Sequence, residues 1–403
     1  MQLPTIEEIS AVPFKKKIKE KLLQVIVELS ALPALPAFLV LRYAFRIKFI
    51  RLRSDRIGHL SANTEQFLRS LQLGTIPSLR YIALATKPAA NEALLTMYKR
   101  YLTVLQFPQP SFIRVLIKLL STRSVLRRTD CIEAIPFDEF SNVWNSGVPT
   151  IILTPLDEEN GKILLNKMNV DSWFVCFHAR DEKYLQSKWK KGDWQHTHRN
   201  CSIDNFAQAA QYVGSKGGYA LRMGSVVEKA LSFSGKHIID YATSHRTEFG
   251  DITLMAKCKF FLGNTAGLVC VSYIFNVPNI TTTLQLLAIP PVGAKDLFIP
   301  KKMWSEKEHR FLTFKEMIQN PVLNFMSARD FDNAGLRFIE NSPEEILAVT
   351  REMNERIDGA WLTTAEDEQL QRLFISLYVE GKSFGVPQGR IGAQFLSENK
   401  NLL

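Results

Sequence analysis

The chain has 403 residues, of which 46% are hydrophobic, 22% charged and 10% aromatic. This composition excludes collagen-like, coiled-coil and largely disordered chains and disfavours a protein with many membrane spans. The formal net charge is +10, and residues 1–60 carry +6 of it, so the basic character belongs to the amino-terminal segment and does not indicate a DNA-binding domain. At roughly 100–200 residues per domain, the length predicts two or three domains. Five cysteines without a Cys-x-x-Cys pair indicate reduced thiols in a cytoplasmic protein.

Residues 22–41 form an apolar run that is nearly long enough to span a bilayer. Glu28, Pro33 and Pro36 interrupt the run, and clusters of Lys and Arg flank it on both sides. Basic residues at both ends give no orientation signal and suit a segment at the level of anionic lipid headgroups. We therefore expect residues 1–43 to form an amphipathic, apolar helical segment attached to a membrane surface. A buried helical hairpin broken at the prolines and a true span are the alternatives.

From residue 44 onward, short β-like runs alternate with helical stretches. In the first half, strands are predicted at 44–52, 81–85, 150–155 and 172–180, and helices at 63–73, 89–105 and 157–168. After a polar stretch at 188–200, helices are predicted within 202–217, 248–257 and 340–357, strands at 218–225 and 236–244, and a strand, a turn and a helix over 258–275, followed by a strand that begins at 277. This alternation predicts βαβ units and parallel strands, so the fold class is α/β with two halves separated near residues 185–200.

Polar residues at the ends of predicted strands are the candidate ligand contacts, because open parallel sheets bind ligands beyond the carboxyl ends of their strands. The sequence DRIGHL (55–60) follows the first strand. In it, Gly58 permits a tight turn, and His59 is a candidate general base because a histidine titrates near neutral pH. Arg56 and Gly58 are assigned to the acceptor side. The alternative is that His59 is an ordinary helix-entry residue.

The sequence CFHARDEKY (176–184) follows the strand at 172–180. Arg180 is placed where a phosphate would bind, since a guanidinium can bind phosphate in a bidentate manner. Asp181 follows and is expected to orient Arg180 or to act as a base. A surface cluster of ion pairs is the alternative for this segment.

Two further strand ends are candidate phosphate contacts. In ALRMGS (220–225), Arg222 ends a strand and Gly224 permits close backbone approach. In FLGNTAGL (261–268), Asn264 and Thr265 are predicted to begin a helix, whose free N–H groups would bind an anion together with the turn at Gly267. The region lacks the lysine of a P-loop and the GxGxxG spacing of dinucleotide enzymes, so ATP hydrolysis and NAD binding are not supported.

No metal site is predicted. His196, His198 and Cys201 lie close in sequence, but no second carboxylate or cysteine pair completes a ligand set. A site without metal needs cationic side chains to stabilise a departing diphosphate, and Arg180 and Arg222 are expected to supply them.

Six blocks between residues 50 and 360 carry a family resemblance: RIGHL (56–60), HARDEKY (178–184), HTHRNCSIDNFAQAAQYV (196–213), ALRMGS (220–225), the stretch 236–280 and PEEI (343–346). They resemble a family of bacterial glycosyltransferases of the GT-B type whose genes accompany those for surface polysaccharide. That family is distantly similar to fucosyltransferases, whose HxRxxD-like strand end is similar to His178 and Arg180 with Asp181 or Lys183. The resemblance implies two Rossmann-like domains that face a cleft.

In this scheme residues 44–185 form an acceptor domain and residues 186–360 a nucleotide-sugar donor domain. Residues 361–403 are expected to pack back on the N-terminal domain. The resemblance implies that Arg180, Arg222, Asn264 and Thr265 hold the donor diphosphate. It places Asp240 and Tyr241 near the base or ribose, and Asp251 or Glu248 at ribose hydroxyls or the helix start.

The function expected from these observations is metal-independent glycosyl transfer at the cytoplasmic face of the inner membrane. The donor is a nucleotide sugar, the acceptor is a lipid-linked or growing surface glycan, and neither a cofactor nor a nucleic-acid partner is expected. His59 is ranked above Asp181 as the base, because the donor contacts cluster in the second half and the base should come from the first. The alternatives are a nucleotide-sugar epimerase and a non-catalytic glycan-binding or assembly scaffold.

Overall fold

A computed structural model describes residues 36, 40–41, 43–108, 137–188, 194–287, 289–325, 327–380 and 385–403. Most of the segment expected to bind membranes, residues 1–43, lies outside this set. Within the described part of the chain, no helix is both long and apolar enough to cross a bilayer.

The first half contains a three-stranded parallel sheet in the order β1-β2-β3. Its strands are β1 (Ile47–Arg51), β2 (Arg80–Lys87) and β3 (Thr103–Pro108). A π-helical turn at His59–Asn63 and helix α1 (Thr64–Gln72) connect β1 to β2, and α2 (Glu92–Tyr98) connects β2 to β3. The strands therefore begin at one edge of the sheet, which we call the amino edge, and end at the opposite carboxyl edge.

Two predictions in this half are wrong. The helix predicted over 89–105 ends at Tyr98, because the β-branched Thr103 and Val104 pair with β2 as strand β3. The strand predicted at 150–155 is irregular backbone, because the N–H of Thr150 bonds to the Glu65 carboxylate and Thr154 is the N-cap of the next helix. The helices of this region are α3 (Phe137–Ser146) and α4 (Pro155–Lys167).

A seven-stranded parallel sheet forms the centre of the second half. The remaining strands are β4 (Phe174–His178), β5 (Tyr219–Arg222), β6 (Ile238–Ile239), β7 (Phe261–Gly263), β8 (Asn279–Leu284), β9 (Leu297–Pro300), the small antiparallel strands β10 (Lys302–Ser305), β11 (Arg310–Phe311) and β12 (Leu336–Ile339), and β13 (Arg390–Ile391). The order of the large sheet is β13-β9-β8-β7-β4-β5-β6. The chain thus moves from β4 to β5 and β6 on one side and then returns to β7, β8 and β9 on the other. This is a doubly wound order that reverses between β4 and β7, and the parallel strands confirm the α/β fold class.

The structure differs from the expected domain division at two places. Strand β4, which the sequence analysis assigns to an N-terminal domain ending at residue 185, lies inside the large sheet, because its backbone pairs with β5 on one edge and with β7 on the other. The tail after residue 360 packs on the large sheet rather than on the N-terminal sheet: β13 pairs with β9, and Phe374 and Phe395 lie in its core.

Helices cover both faces of the large sheet. The others are α5 (Lys183–Lys188), α6 (Ala207–Ser215), α7 (Tyr241–Ser244), α8 (Glu248–Lys257), α9 (Val269–Ile274), α10 (Phe314–Met317), α11 (Ala328–Ala334), α12 (Pro343–Ile357), α13 (Ala365–Glu380) and α14 (Ala393–Glu398). Helix α12 begins as predicted, with Ser342 accepting a bond from the N–H of Glu345 and Pro343 in the first turn.

The two sheets share one hydrophobic core. It runs from Ile50 in β1 to Leu221 and Phe261 in the large sheet, through side chains of α8 and α9. Arg69 of α1 is fully buried in the same region. Its guanidinium pairs with Glu65 at 2.9 Å and donates to the carbonyl oxygens of Trp144 and Ile274. These bonds join α1 to α3 and α9, so the two halves are fixed to each other by polar as well as apolar contacts.

Candidate functional site

The reversal between β4 and β7 marks the candidate site, because ligands of open α/β sheets bind beyond the carboxyl ends of the strands at such a point. Asn264, which follows β7, is fully buried there. Its side-chain oxygen accepts from the N–H of Arg180 at 3.0 Å, and its amide donates to the carbonyl of Arg199 at 2.8 Å. Asn264 thus holds three segments of the site together, and its side chain is already occupied rather than turned to a ligand.

The loop after β7 is longer than predicted. Helix α9 begins at Val269, four residues beyond Thr265, so Asn264 and Thr265 do not start the helix. Instead, the Thr265 hydroxyl donates to Gln285 and its carbonyl accepts from Arg199 at 2.5 Å. The anion site expected from a helix start is therefore absent from these two residues.

Three cationic side chains gather around residues 196–200 at this edge. Arg180 donates to the His196 carbonyl at 2.9 Å and to the side chain of Asn200. Lys301, which is buried, donates to the Asn200 carbonyl at 2.6 Å, and burial lowers the pKa of its ammonium group. The third is Arg199, whose buried Nε has no hydrogen-bond partner among the described residues. Neither Arg199 nor Lys301 is predicted from sequence as a site residue, because both reach the site only through contacts with distant parts of the chain.

Asp181 positions backbone in the same region. One carboxylate oxygen accepts from the N–H of Lys183 at 3.0 Å and the other from the N–H of Glu228 at 2.9 Å. These bonds fix the start of α5 and the loop after β5. Both carboxylate oxygens are therefore already engaged by backbone N–H groups.

Arg222 is 1% exposed and does not face open space. Its guanidinium pairs with Asp240 at 3.0 Å and donates to the Lys229 carbonyl at 3.1 Å. The other oxygen of Asp240 accepts from the N–H of Leu231 at 3.0 Å. The two residues therefore shape the loop that follows β5, and their direct contacts with a diphosphate or a ribose stay a prediction.

Side chains near the start of α8 are bonded to neighbouring backbone and side chains; they belong to Tyr241, Glu248 and Asp251. The hydroxyl of Tyr241 donates to the Thr247 carbonyl at 2.8 Å and accepts from the Thr247 N–H at 2.9 Å. Asp251 pairs with Arg246 at 2.8 Å, and burial raises the pKa of Asp251 to about 6 despite this partner. Glu248 accepts from the N–H of Glu92 at 2.8 Å and so joins α8 to α2.

Gly224 has a positive φ of 154°, a conformation that side chains rarely adopt. An added Cβ would lie 2.6 Å from Val227 and 3.8 Å from the His178 ring. The glycine therefore keeps the loop after β5 close to the end of β4.

The loop with His59 lies against the loop after β7. An added Cβ on Gly58 would come 2.9 Å from the Cα of Gly267, so the two backbones are in contact. The structure thus brings the predicted acceptor-side loop and the predicted donor-side loop together. Arg56 is half-buried on the same loop.

His59 is the first residue of the π-helical turn. Its Nδ1 lies 3.2 Å from the Asn63 side-chain oxygen, and the half-buried ring has no further hydrogen bond to the described residues. Burial, followed by the charge of Arg53, lowers the pKa of His59. The imidazole is therefore neutral at pH 7, as a base must be.

His178 is a further residue, besides Arg199 and Lys301, that the site assignment from sequence missed. It is the last residue of β4, at the reversal point, and its Nδ1 lies 2.9 Å from the Met223 carbonyl. Since a carbonyl only accepts, Nδ1 carries the proton and Nε2 keeps a lone pair. Burial lowers the pKa of His178, so this neutral tautomer persists at pH 7. The feature of the sequence that could have identified His178 is its position at the end of an apolar strand, directly before Ala179 and Arg180.

Within the described residues, no group of three or more His, Cys, Asp or Glu side chains is placed to hold a metal ion. The Asp-x-Asp triplet at Asp330 and Asp332 lies in helix α11. Residues two apart on a helix point to different faces, and Asp330 is already bonded to Ser327 as a cap. This pair therefore does not chelate one ion.

No protein-family model matches the sequence, and no curated protein matches it. Three solved structures that resemble the chain are glycosyltransferases or polymerases of cell-surface polymers. A glycosyltransferase family 9 protein from Veillonella parvula is 12% identical, with a TM-score of 0.40 over 58% of this chain and 79% of that one. ADP-heptose LPS heptosyltransferase II from E. coli is 13% identical, with a TM-score of 0.41 over 62% and 90%. The wall teichoic acid polymerase TagF is 11% identical, with a TM-score of 0.25 over 59% and 70%. These likenesses are distant, and the similarity to fucosyltransferases stays a prediction.

Proposed function

We propose that the protein is a metal-independent glycosyltransferase that uses a nucleotide-sugar donor and a lipid-linked or growing surface glycan as acceptor. The observation that supports it best is the convergence at the carboxyl edge between β4 and β7. There, three cationic side chains and two neutral histidines come from both halves of the chain. A departing diphosphate needs positive charge, and an attacking hydroxyl needs a neutral base, so this edge offers both requirements of glycosyl transfer.

In this proposal the donor diphosphate binds beside Arg180, Arg199 and Lys301. The acceptor hydroxyl attacks the anomeric carbon, the bond from that carbon to the diphosphate oxygen breaks, and the nucleoside diphosphate leaves with the bonding electrons. The hydroxyl proton passes to Nε2 of His59. Asp181 is the second candidate for this role, but both of its carboxylate oxygens already accept hydrogen bonds from backbone N–H groups.

Arg222, Asp240, Tyr241, Asp251, Asn264 and Thr265 act as positioning residues in this proposal, since their polar groups are bonded within the protein. Gly224 and Gly267 let the loops approach the donor and each other. Residues 1–43 would attach the enzyme to the inner membrane face on the cytoplasmic side, close to a lipid-linked acceptor.

The test is donor binding followed by turnover. Thermal unfolding is measured with ADP, UDP, GDP and CMP, and hydrolysis is then measured across the matching nucleotide sugars, including ADP-heptose, the donor named for heptosyltransferase II. A transferase is stabilised by one nucleotide class and slowly hydrolyses the matching donor without added metal. Interconversion of the donor sugar without release of nucleotide would indicate an epimerase. Stabilisation by none of these nucleotides would indicate a non-catalytic scaffold.

A further inference from the structure

Exposed apolar side chains gather at the amino edge of the three-stranded sheet. Seven of the fifteen large hydrophobic side chains that are exposed in the described chain lie there: Tyr43, Phe45, Leu73, Tyr101, Val148, Ile152 and Leu156. We call this set the amino-edge patch. Contiguous exposed apolar surface of this kind marks a binding face for a membrane or another protein, whereas scattered single residues need no explanation.

Hydrogen bonds place these segments together. Tyr43 and Phe45 precede β1, and the next residue, Arg46, accepts from the N–H of Arg80 at the start of β2. Tyr101 precedes β3, and its hydroxyl accepts from the N–H of Ile152 at 3.3 Å. Gln72, beside Leu73 at the end of α1, donates to Thr150 at 3.0 Å. Together with the strand order β1-β2-β3, these bonds place four separate stretches of chain at the same edge of the sheet.

Two features indicate which partner covers this surface. First, the apolar run at 22–41, with its flanking basic clusters, joins the folded chain at Tyr43, inside the patch. Second, Arg46 and Arg80 are exposed at the same edge, and two of the seven residues are tyrosines. Tyrosine and arginine beside apolar side chains suit the headgroup level of an anionic bilayer, where one end of a side chain is apolar and the other wet.

We infer that the amino-edge patch rests on an anionic lipid surface and that the His59 loop of the candidate site, which follows β1 at the opposite carboxyl edge of the three-stranded sheet, faces away from it. The eight residues of β2 separate the two edges by about 25 Å at the usual rise per residue. If the proposed function holds, the reacting end of the acceptor lies about 25 Å above the lipid headgroups. This consequence rests on the proposed function.

The first experiment measures binding of the full chain to vesicles of phosphatidylcholine with and without phosphatidylglycerol. The variant carries Ile152→Ser and Leu156→Ser, whose side chains are 68% and 69% exposed, so the fold should tolerate them. The matched control is Leu362→Ser, 86% exposed in the C-terminal region. We expect the double variant to bind phosphatidylglycerol vesicles at least tenfold more weakly and the control to bind normally, with equal thermal stability for both.

The second experiment reports orientation even if residues 1–43 dominate affinity. Ile152→Cys and Leu362→Cys chains are labelled with an environment-sensitive fluorophore, with the unsubstituted chain as background. A blue shift on adding vesicles is expected at position 152 and none at 362. Equal spectra at both positions would overturn the inference. It would also be overturned if the double variant bound vesicles normally but no longer self-associated, because a second copy of the chain would then be the partner on this face. Neither readout requires transfer activity, so failure of the proposed function would not be mistaken for failure here.

Discussion

Gly58 and Gly267 are in backbone contact, although 209 positions separate them in the chain: a Cβ on the first would lie 2.9 Å from the Cα of the second. This contact joins the loop that carries His59 to the loop that carries Asn264. It sets the distance between the proposed base and the residues at the reversal of the large sheet.

Replacing either glycine by alanine should therefore separate the two loops. We expect Gly58→Ala and Gly267→Ala each to lower the free energy of unfolding by about 1–3 kcal/mol, as for other overpacked sites, and to reduce transfer further than nucleotide binding. Urea unfolding and kinetic assays provide the measurements. Gly161→Ala is the control, because its Cβ would meet only Thr253, at 3.9 Å, and it lies in helix α4. A Gly58→Ala protein with normal stability and turnover would contradict the close contact.

His59→Ala and His59→Gln should lower turnover by about 10²–10⁴-fold, the usual contribution of a general base, while nucleotide affinity stays nearly unchanged. Because burial lowers the pKa of His59 below its usual 6.5, the pH at which kcat/KM begins to decrease on the acid side should lie below 6.5. This decrease should vanish in His59→Gln. If the decrease and the rate persist, His59 is a turn residue, and Asp181→Asn becomes the next variant to assay.

Arg180 and Arg222 should respond differently to substitution. Arg180→Ala should lower kcat/KM by about 10²–10³-fold through lost stabilisation of the leaving diphosphate. Arg222→Ala removes a buried guanidinium and leaves the half-buried Asp240 without its cationic partner, so we expect a loss of about 3–5 kcal/mol in the free energy of unfolding. Unfolding in urea and steady-state kinetics on both variants separate the two effects. Equal stability of Arg222→Ala and the parent would show that the ion pair does not hold the loop.

Asp251 should make stability depend on pH. Its pKa is about 6 in the folded protein because of burial, against an ordinary 3.8, so the folded state binds the proton more tightly than the unfolded state. The associated stabilisation is complete below about pH 4. This stabilisation of about 3 kcal/mol is lost as the pH rises to about 6, and the stability stays constant at higher pH.

The measurement is the free energy of unfolding between pH 4.5 and 8 for the parent and Asp251→Asn, whose slope over this window should be flatter. Asp332→Asn, at an exposed position, is the control and should leave the slope unchanged. A parallel pair of curves for the parent and Asp251→Asn would contradict the raised pKa.

Local signals made parts of the fold predictable. Helix α12 has its N-cap at Ser342 and Pro343 in its first turn, as capping chemistry predicts. The parallel α/β architecture follows from the alternation of apolar strands and amphipathic helices. By contrast, the helix predicted over 89–105 runs wrongly into the first residues of β3, and the strand predicted at 150–155 is wrong. Pairing with β2 and a bond to Glu65 decide these segments, and neither partner is near in sequence.

The site was less predictable for the same reason. An arginine at a strand end suggests a ligand contact, yet only the folded chain reveals that Asp240 neutralises Arg222 and that Asn264 bonds to Arg180 and Arg199. Lys301 reaches the site from β9 and β10, 101 positions beyond its partner Asn200. Sequence patterns locate strand ends, but they do not report which polar groups are already paired.

The core shared by the two sheets bears on how such a chain can change over evolution. Ile50 of β1 and Phe261 of β7 belong to one apolar cluster, and Arg69 bonds to the carbonyl of Ile274 across the same seam. Cutting the chain between the sheets would expose that cluster, which costs roughly 25 cal/mol for each Å² of apolar surface. It would also leave the buried guanidinium of Arg69 without its hydrogen-bond partner on Ile274. Neither half is therefore a module that can be exchanged intact with another protein. New substrate preferences have to arise by substitution in the loops at the carboxyl edge, within one inherited unit.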